Sequence, residues 1–258
     1  MRGRRKLIAQ LVLLVVVFFS GYTIYEVYYT DSVKVANWNL QIFGLTKASD
    51  AELMQIYADK VKSYDIVFVQ EIRDASETAF GSLCDMLENY TCVESSRAGR
   101  TNSKEQYGII YKNGIDLISF KDYNPDSQDR WERPPIEAVF DINGYELKVY
   151  NIHTSPDEVD AELKALEDII ENNGNVIVLG DLNADCSYYN NAQNLELESL
   201  VWVINDDEDT TVSQTNCAYD RILMNGDAYK NYEGSGVDKN GITGKVSDHY
   251  IVWVEVGV

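Results

Sequence analysis

The sequence predicts one mixed α/β (α+β) domain over residues 31–258, built on packed sheets covered by helices. Three observations predict it. Short apolar runs of strand length alternate with capped, amphipathic stretches of helix length. Ile136–Ile142 and Tyr145–His153 alternate in polarity and are joined by Asn143-Gly144, a strong hairpin signal. The 258 residues are 45% hydrophobic and include 18 tyrosines, ample material for a core, with no repeat or linker to divide it.

In chain order, Arg2, Arg4, Arg5 and Lys6 precede an apolar run at 7–19, broken only by Gln10. Weaker apolar character continues to Tyr29, about a bilayer's span. Basic residues ahead of such a run predict export. No small-x-small cleavage site follows, so residues 1–30 are either a signal peptide or a signal-anchor. Residues 7–29 would be the membrane tether in the second case. Either leaves 31–258 extracellular.

A strand is expected at 33–39. A helix follows at 50–64, opened by the capping box Ser49-Asp50-Ala51-Glu52. A strand at 65–69 delivers Gln70-Glu71, and 75–87 reads as helix. Further strands are expected at 91–95, 107–112 and 115–120, then a loop at 122–135 and the hairpin. Ser155-Pro156-Asp157-Glu158 caps a helix running to about Asn173. The apolar run at 176–179 is the next strand. The last strands are expected at 219–224 and 250–256, separated by a Gly-rich loop at 226–244.

The net charge is −20, and the remainder without the four N-terminal positives carries −24. That argues against simple electrostatic binding of nucleic acid through a basic face. It permits a nucleic-acid substrate screened by divalent cations. Four cysteines fit an oxidising compartment and allow three pairings. Cys186–Cys217 and Cys84–Cys92 are favoured. Cys186 follows a polar motif and Cys217 precedes Ala218-Tyr219-Asp220, whereas Cys84 and Cys92 lie eight apart.

Five strand ends present Asn39, Glu71, His153, Asp181 with Asn183, and Asp248 with His249. In Val-Ile-Val-Leu-Gly-Asp-Leu-Asn (176–183), alternate positions point Asp181 and Asn183 to one side. Carboxylate and amide oxygens suit Mg²⁺, Mn²⁺ or Ca²⁺ rather than zinc. Taken singly, Asp-x-Asn can be a polar turn, a histidine a structural residue, and Glu71 with Arg73 a surface ion pair. Both histidines of the chain stand among ligand-type residues, which favours acid–base work near neutrality.

The segments W-N-L-Q-I-F-G (38–44), D-I-V-F-V-Q-E-I-R-D (65–74), N-I-H-T-S-P (151–156), G-D-L-N-A-D-C-S-Y (180–188), D-T-T-V-S-Q-T-N-C-A-Y-D-R-I (209–222) and S-D-H-Y (247–250) resemble the deoxyribonuclease I family. This is the secreted endonuclease group of the exonuclease–endonuclease–phosphatase superfamily, and the likeness runs from Val33 to the C-terminus. It implies a four-layered sandwich, two packed mainly antiparallel sheets flanked by helices. It implies a monomeric, metal-dependent endonuclease hydrolysing DNA phosphodiesters, with no protein partner. His153 and His249 would be general base and general acid, oriented by Glu105 and Asp220. Asn39, Glu71, Asp181, Asn183 and Asp248 would hold Mg²⁺ (or Mn²⁺) and the scissile phosphate. Arg73 and Arg133 would contact DNA. Asp209, Thr211, Ser213 and Thr215 would form a structural Ca²⁺ site.

The chain departs from the family pattern at several places. Ser103 stands where a minor-groove tyrosine is expected and Gln41 where an arginine grips DNA. Pro134 replaces an acidic residue of a second Ca²⁺ site, and the small-loop disulfide near 122–135 is absent. The alternative reading is a phosphodiesterase of the same superfamily acting on a lipid headgroup or nucleotide.

Overall fold

The computed structural model describes residues 13–18, 21–26, 32–190 and 196–258. Its elements run β1 (Leu13–Phe18), β2 (Gly21–Glu26), β3 (Ser32–Phe43), α1 (Leu45–Ala48), α2 (Ala51–Val61), β4 (Ile66–Ile72) and α3 (Ala79–Cys84). Next come β5 (Tyr90–Glu94), β6 (Gln106–Lys112), β7 (Asp116–Asp122), β8 (Ile136–Ile142), β9 (Tyr145–His153), α4 (Val159–Glu167) and β10 (Asn175–Asp181). The chain closes with β11 (Val201–Trp202), β12 (Asp220–Met224), α5 (Gly226–Tyr229), β13 (Tyr232–Asp238) and β14 (Ile251–Gly257).

Two six-stranded sheets form, in the orders β13-β14-β3-β4-β6-β5 and β11-β12-β10-β9-β8-β7. Each has one parallel pair, β3 with β4 and β9 with β10, and is otherwise antiparallel. A parallel pair needs a crossover. In the first sheet α1 and α2 supply it, and in the second α4 does.

Side chains alternate between faces along each strand, and the three hydrophobic clusters follow that alternation. Val33, Val35, Ile66, Phe68, Ile109, Phe140, Val149, Leu179 and Val254 meet between the sheets. Ala36, Trp38, Val67, Val69 and Ile110, one position along, face out and pack on Leu53, Tyr57 and Leu83 of α2 and α3. Tyr150, Ile152, Val176 and Val178 turn outward from the other sheet onto Val159, Leu163 and Leu166 of α4. Helix, sheet, sheet, helix: the expected four layers are present.

The local differences have local causes. Helix α2 is capped by Asp50, whose carboxylate accepts from Glu52 and Leu53 N–H, and not by a Ser49 box. The expected helix at 75–87 is only α3. Asp74 accepts from the N–H groups of Ser76, Thr78 and Ala79 and so bends 75–78 into a turn. The expected helix reaching Asn173 ends at Glu167 and begins at Val159, so Pro156 stands before it. The Gly-rich stretch at 226–244 contains α5 and β13; in β13 Gly236 lies against the Trp253 ring, where a Cβ would be within 3.1 Å of it. Of residues 1–30, the described parts pair as β1 and β2, and the rest of the expected targeting segment lies outside the described residues. Among the described residues no helix is long and apolar enough to cross a membrane. Both expected disulfides are present, Cys84–Cys92 tying α3 to β5 and Cys186–Cys217 tying the loop after β10 to the one before β12.

Asp74→Ala is expected to cost about 1–2 kcal/mol through the lost cap. Burial works against the Asp74 charge, but the hydrogen bonds from Ser76, Ala79 and Thr78 outweigh it and hold the carboxyl well below the usual range. A depressed folded-state value gives stability that is present above about pH 4 and fades as pH falls through that value. Thermal melts should show the widest gap between wild type and variant at neutral pH, narrowing towards pH 3. A gap independent of pH would refute the assignment.

Candidate active site

The inward-facing alternation turns polar at one end of the sandwich. In β3, Val33 and Val35 give way to Asn37 and Asn39; in β4, Ile66 and Phe68 give way to Gln70. In β9, Leu147 and Val149 are followed by Asn151 and His153, and in β10 Ile177 and Leu179 by Asp181. Strand β12 runs the other way and begins with Asp220. Register does the rest. Asp181 pairs with His153 on one side and with Asp220 on the other.

Gly180 makes that register possible. Its φ is 150°, and a Cβ there would sit 1.8 Å from the Ile152 carbonyl oxygen. Only glycine permits so close an approach of β10 to β9. Glu71 and Asn183 have φ of 60° and 47°, left-handed values that non-glycine residues adopt at a cost. Both are held in place by their side chains. Glu71 accepts from Ile42 N–H at 2.8 Å, and Asn183 donates from Nδ2 to Thr154 O at 3.0 Å.

Each imidazole has its own carboxylate. His153 Nδ1 lies 3.0 Å from Glu105 Oε2, and His249 Nδ1 lies 2.7 Å from Asp220 Oδ2. Both Nε2 atoms turn to the same Asp181 oxygen, at 3.4 and 3.5 Å. Asn39 Nδ2 donates to that oxygen at 2.9 Å and to Glu71 Oε1 at 3.2 Å. Asp181 is 2% exposed. Asp248 sits at the rim, its side chain 51% exposed and 3.7 Å from His249 Nε2.

Burial works against a charge on His249, but Asp220 and Asp181 outweigh it and push its proton affinity up to about 10. Burial also raises the Asp220 carboxyl while His249 pulls it back, so this pair holds one proton and the imidazole carries it. Burial opposes the Glu105 charge too. There His153, with its hydrogen bond, Arg133 and Arg73 prevail and hold the carboxyl near the bottom of its range, at about 2. Asp181 is likewise lowered against burial, by His249 and His153.

Arg73 lies 3.1 Å from Glu71 and 3.5 Å from Glu105, and donates to Ser103 Oγ at 3.1 Å. Arg133 is more enclosed. It lies 3.2 Å from Glu105 and donates to His153 O and Thr154 O. Gln41 is turned into a left-handed conformation (φ 49°) with its N–H on Asn39 Oδ1. Asp209, Thr211, Ser213 and Thr215 gather in a separate loop. Thr211 Oγ1 lies 3.0 Å from Ser213 Oγ, and Ser213 Oγ lies 2.8 Å from Thr215 Oγ1. Lys239 Nζ lies 3.0 Å from Asp209 Oδ2.

Two groups with metal-ligating donors converge among the described residues: Glu71, Glu105 and His153; and Asp181, Asp220 and His249. Within these groups Glu71 and Asp181 are bridged by Asn39, and their hard oxygens concentrate negative charge that Arg73, Lys47 and the imidazoles offset. That donor set fits a small divalent cation. The reading of the sequence passed over the amide layer beneath. Asn37 Oδ1 accepts from Gln70 Nε2 and Asn151 Nδ2, while its own Nδ2 reaches Asp220 Oδ1. The signal was present, since positions 37, 70 and 151 continue the inward-facing series.

The profile of the Endonuclease/Exonuclease/phosphatase family matches residues 36–249. Deoxyribonuclease-1 of Bos taurus is 33% identical, over 76% of this chain and 78% of its own. Deoxyribonuclease-1 of Homo sapiens is 32% identical, over 86% of this chain and 92% of its own. A solved endonuclease/exonuclease/phosphatase family protein from Bacteroides thetaiotaomicron superposes with a TM-score of 0.68 at 17% identity, covering 89% of this chain and 96% of that one. At that identity the likeness establishes the fold.

Asp220→Asn is expected to lower the His249 titration midpoint by about one unit or more, since an opposite charge in contact is removed. With two histidines in the chain, each imidazole can be followed by NMR in metal-free protein. An unmoved midpoint would contradict the pairing.

Proposed function

Because the chain belongs to the endonuclease/exonuclease/phosphatase family, and within it to the deoxyribonuclease I group, we propose that it is an extracellular endonuclease hydrolysing DNA phosphodiester bonds with divalent metal. The observation that carries this reading is the pair of carboxylate-anchored imidazoles turned towards one buried aspartate. The two disulfides support an oxidising compartment.

His153 takes a proton from water through Nε2, and the water oxygen attacks phosphorus. Glu105 stabilises the imidazolium that results, the usual task of such an orienting carboxylate. His249 enters protonated and donates through Nε2 to the departing ester oxygen as its bond to phosphorus breaks. Its high proton affinity suits the acid, and Asp220 fixes its tautomer. Asn183 adds an amide donor for the phosphate oxygens. Arg73, Arg133 and Asn39 face the substrate. Glu71, Asp181, Asn39 and Asp248 would hold Mg²⁺ or Mn²⁺, which supplies positive charge to the phosphate oxygens as negative charge builds there. Asp209, Thr211, Ser213 and Thr215 present a carboxylate and three hydroxyls, a hard-oxygen set suited to structural Ca²⁺.

Supercoiled-plasmid nicking by the full chain should require divalent metal and stop with excess EDTA. His153→Ala should lower it about 100- to 10,000-fold, the usual worth of a general base, with an unchanged melting curve. Wild-type activity in a folded variant would sink the mechanism. Hydrolysis of sphingomyelin or a phosphoinositide without nicking would shift the assignment to a lipid phosphodiesterase.

Ca²⁺ at about 100 times its dissociation constant should stabilise the protein by about 2.7 kcal/mol. Asp209→Ala should remove most of that gain in a thermal-shift titration. If the gain survives intact, the calcium lies elsewhere.

A further inference from the structure

Helix α4 buries a carboxylate that the mechanism above does not use. Glu162 is 0% exposed, and the other buried residues of α4 are Val159, Leu163, Ala165 and Leu166. Burying a carboxylate is costly unless hydrogen bonds compensate, so its partners carry information. They are two backbone N–H groups from different loops. Glu132 N–H donates to Oε1 at 2.6 Å, and Ser155 N–H donates to Oε2 at 2.9 Å. The Glu162 carbonyl also receives Trp131 Nε1 at 3.0 Å.

The two loops are those that flank the catalytic histidine. Glu132 precedes Arg133, whose Nε and Nη2 donate to His153 O and Thr154 O at 2.9 and 2.7 Å and whose Nη1 lies 3.2 Å from Glu105. Ser155 follows Thr154, whose carbonyl also receives Asn183 Nδ2. One buried carboxylate therefore clamps the loop bearing Arg133 to the segment leaving His153.

We infer that Glu162 is a positioning residue for the reaction: its carboxylate holds Arg133 in the place from which the guanidinium serves Glu105, His153 and the substrate phosphate. This rests on the proposed phosphodiesterase reading of the site. Burial raises the Glu162 carboxyl to about 7 against the two backbone hydrogen bonds and Arg133, and Glu158 at the start of α4 adds to the rise. The carboxylate is thus kept although it is a liability to folding at alkaline pH. A raised folded-state value means the neutral form favours the fold, and that benefit fades as pH rises through about 7.

Glu162→Gln separates the two roles. The amide oxygen can accept one N–H, while the amide nitrogen brings donors against the other, so the clamp opens on one side. At pH 8 the variant should melt no earlier than wild type by more than a few degrees, yet lose about 10- to 100-fold in kcat for plasmid nicking, the range for a residue supporting a catalytic group. A double-mutant cycle supplies the decisive readout. In an Arg133→Ala background, Glu162→Gln should cost less than about twofold, because its effect acts through the guanidinium. Glu162→Asp, with a carboxylate on a shorter arm, should recover part of the loss. The inference is overturned if Glu162→Gln nicks like wild type, or if the losses from Glu162→Gln and Arg133→Ala multiply. A wild type that shows no metal-dependent nicking would instead overturn the proposed function.

Discussion

Everything in the site is arranged around one buried negative charge. Asp181 lies at the end of a central strand and is met by two imidazole edges and the Asn39 amide, with the Arg133 charge near enough to be felt. A carboxylate in such a place costs several kcal/mol unless cationic or hydrogen-bonding partners surround it. Two of the partners here are the imidazoles to which the proposed mechanism gives the proton transfers. A divalent cation joins the same logic, because it would neutralise the excess left by Glu71, Asp181 and their neighbours.

The scaffold supplies this arrangement at the level of register. Parallel pairing of β9 with β10 sets His153 beside Asp181, and antiparallel pairing of β10 with β12 sets Asp220 on its other flank. A slip of β10 by one residue would send Asp181 to the opposite face, under the helices and away from both partners. The apolar inter-sheet core fixes that register, and Gly180 allows the strands to close up where the site begins. Two residues of the candidate site also bear backbone strain. Glu71 and Asn183 keep left-handed backbones that their side-chain hydrogen bonds sustain.

Much of this was legible in the chain. The hairpin at Asn143-Gly144 and the strand ends bearing His153 and Asp181 follow from local pattern and stand in the structure, as do the two cysteine pairings favoured among the three the sequence allows. Helix lengths were read too long at 75–87 and 156–173, because side-chain capping by Asp74 and the turn before Val159 compete with helical periodicity. Strand β13 was hidden, since its two glycines read as loop, although one of them, Gly236, is where a Cβ would crowd Trp253. Glu105 and Asp220 carried no signal of their own. Their pairing with histidines arises from contacts 48 and 29 residues apart, and only family resemblance pointed to them. Glu162 could not be found from periodicity at all, since it occupies a core-facing helical position and reads as an error in the pattern.

The division of labour between the two imidazoles can be tested most directly through the leaving group. Cleavage of natural DNA would be compared with that of a diester carrying a 4-nitrophenyl leaving group, which departs without needing a proton, in His249→Ala and His153→Ala. If His249 is the acid, its removal should slow DNA cleavage by about 100-fold or more yet leave the activated diester nearly unaffected, while removal of His153 should slow both. Equal losses on the two substrates in His249→Ala would contradict the assignment of His249 as proton donor.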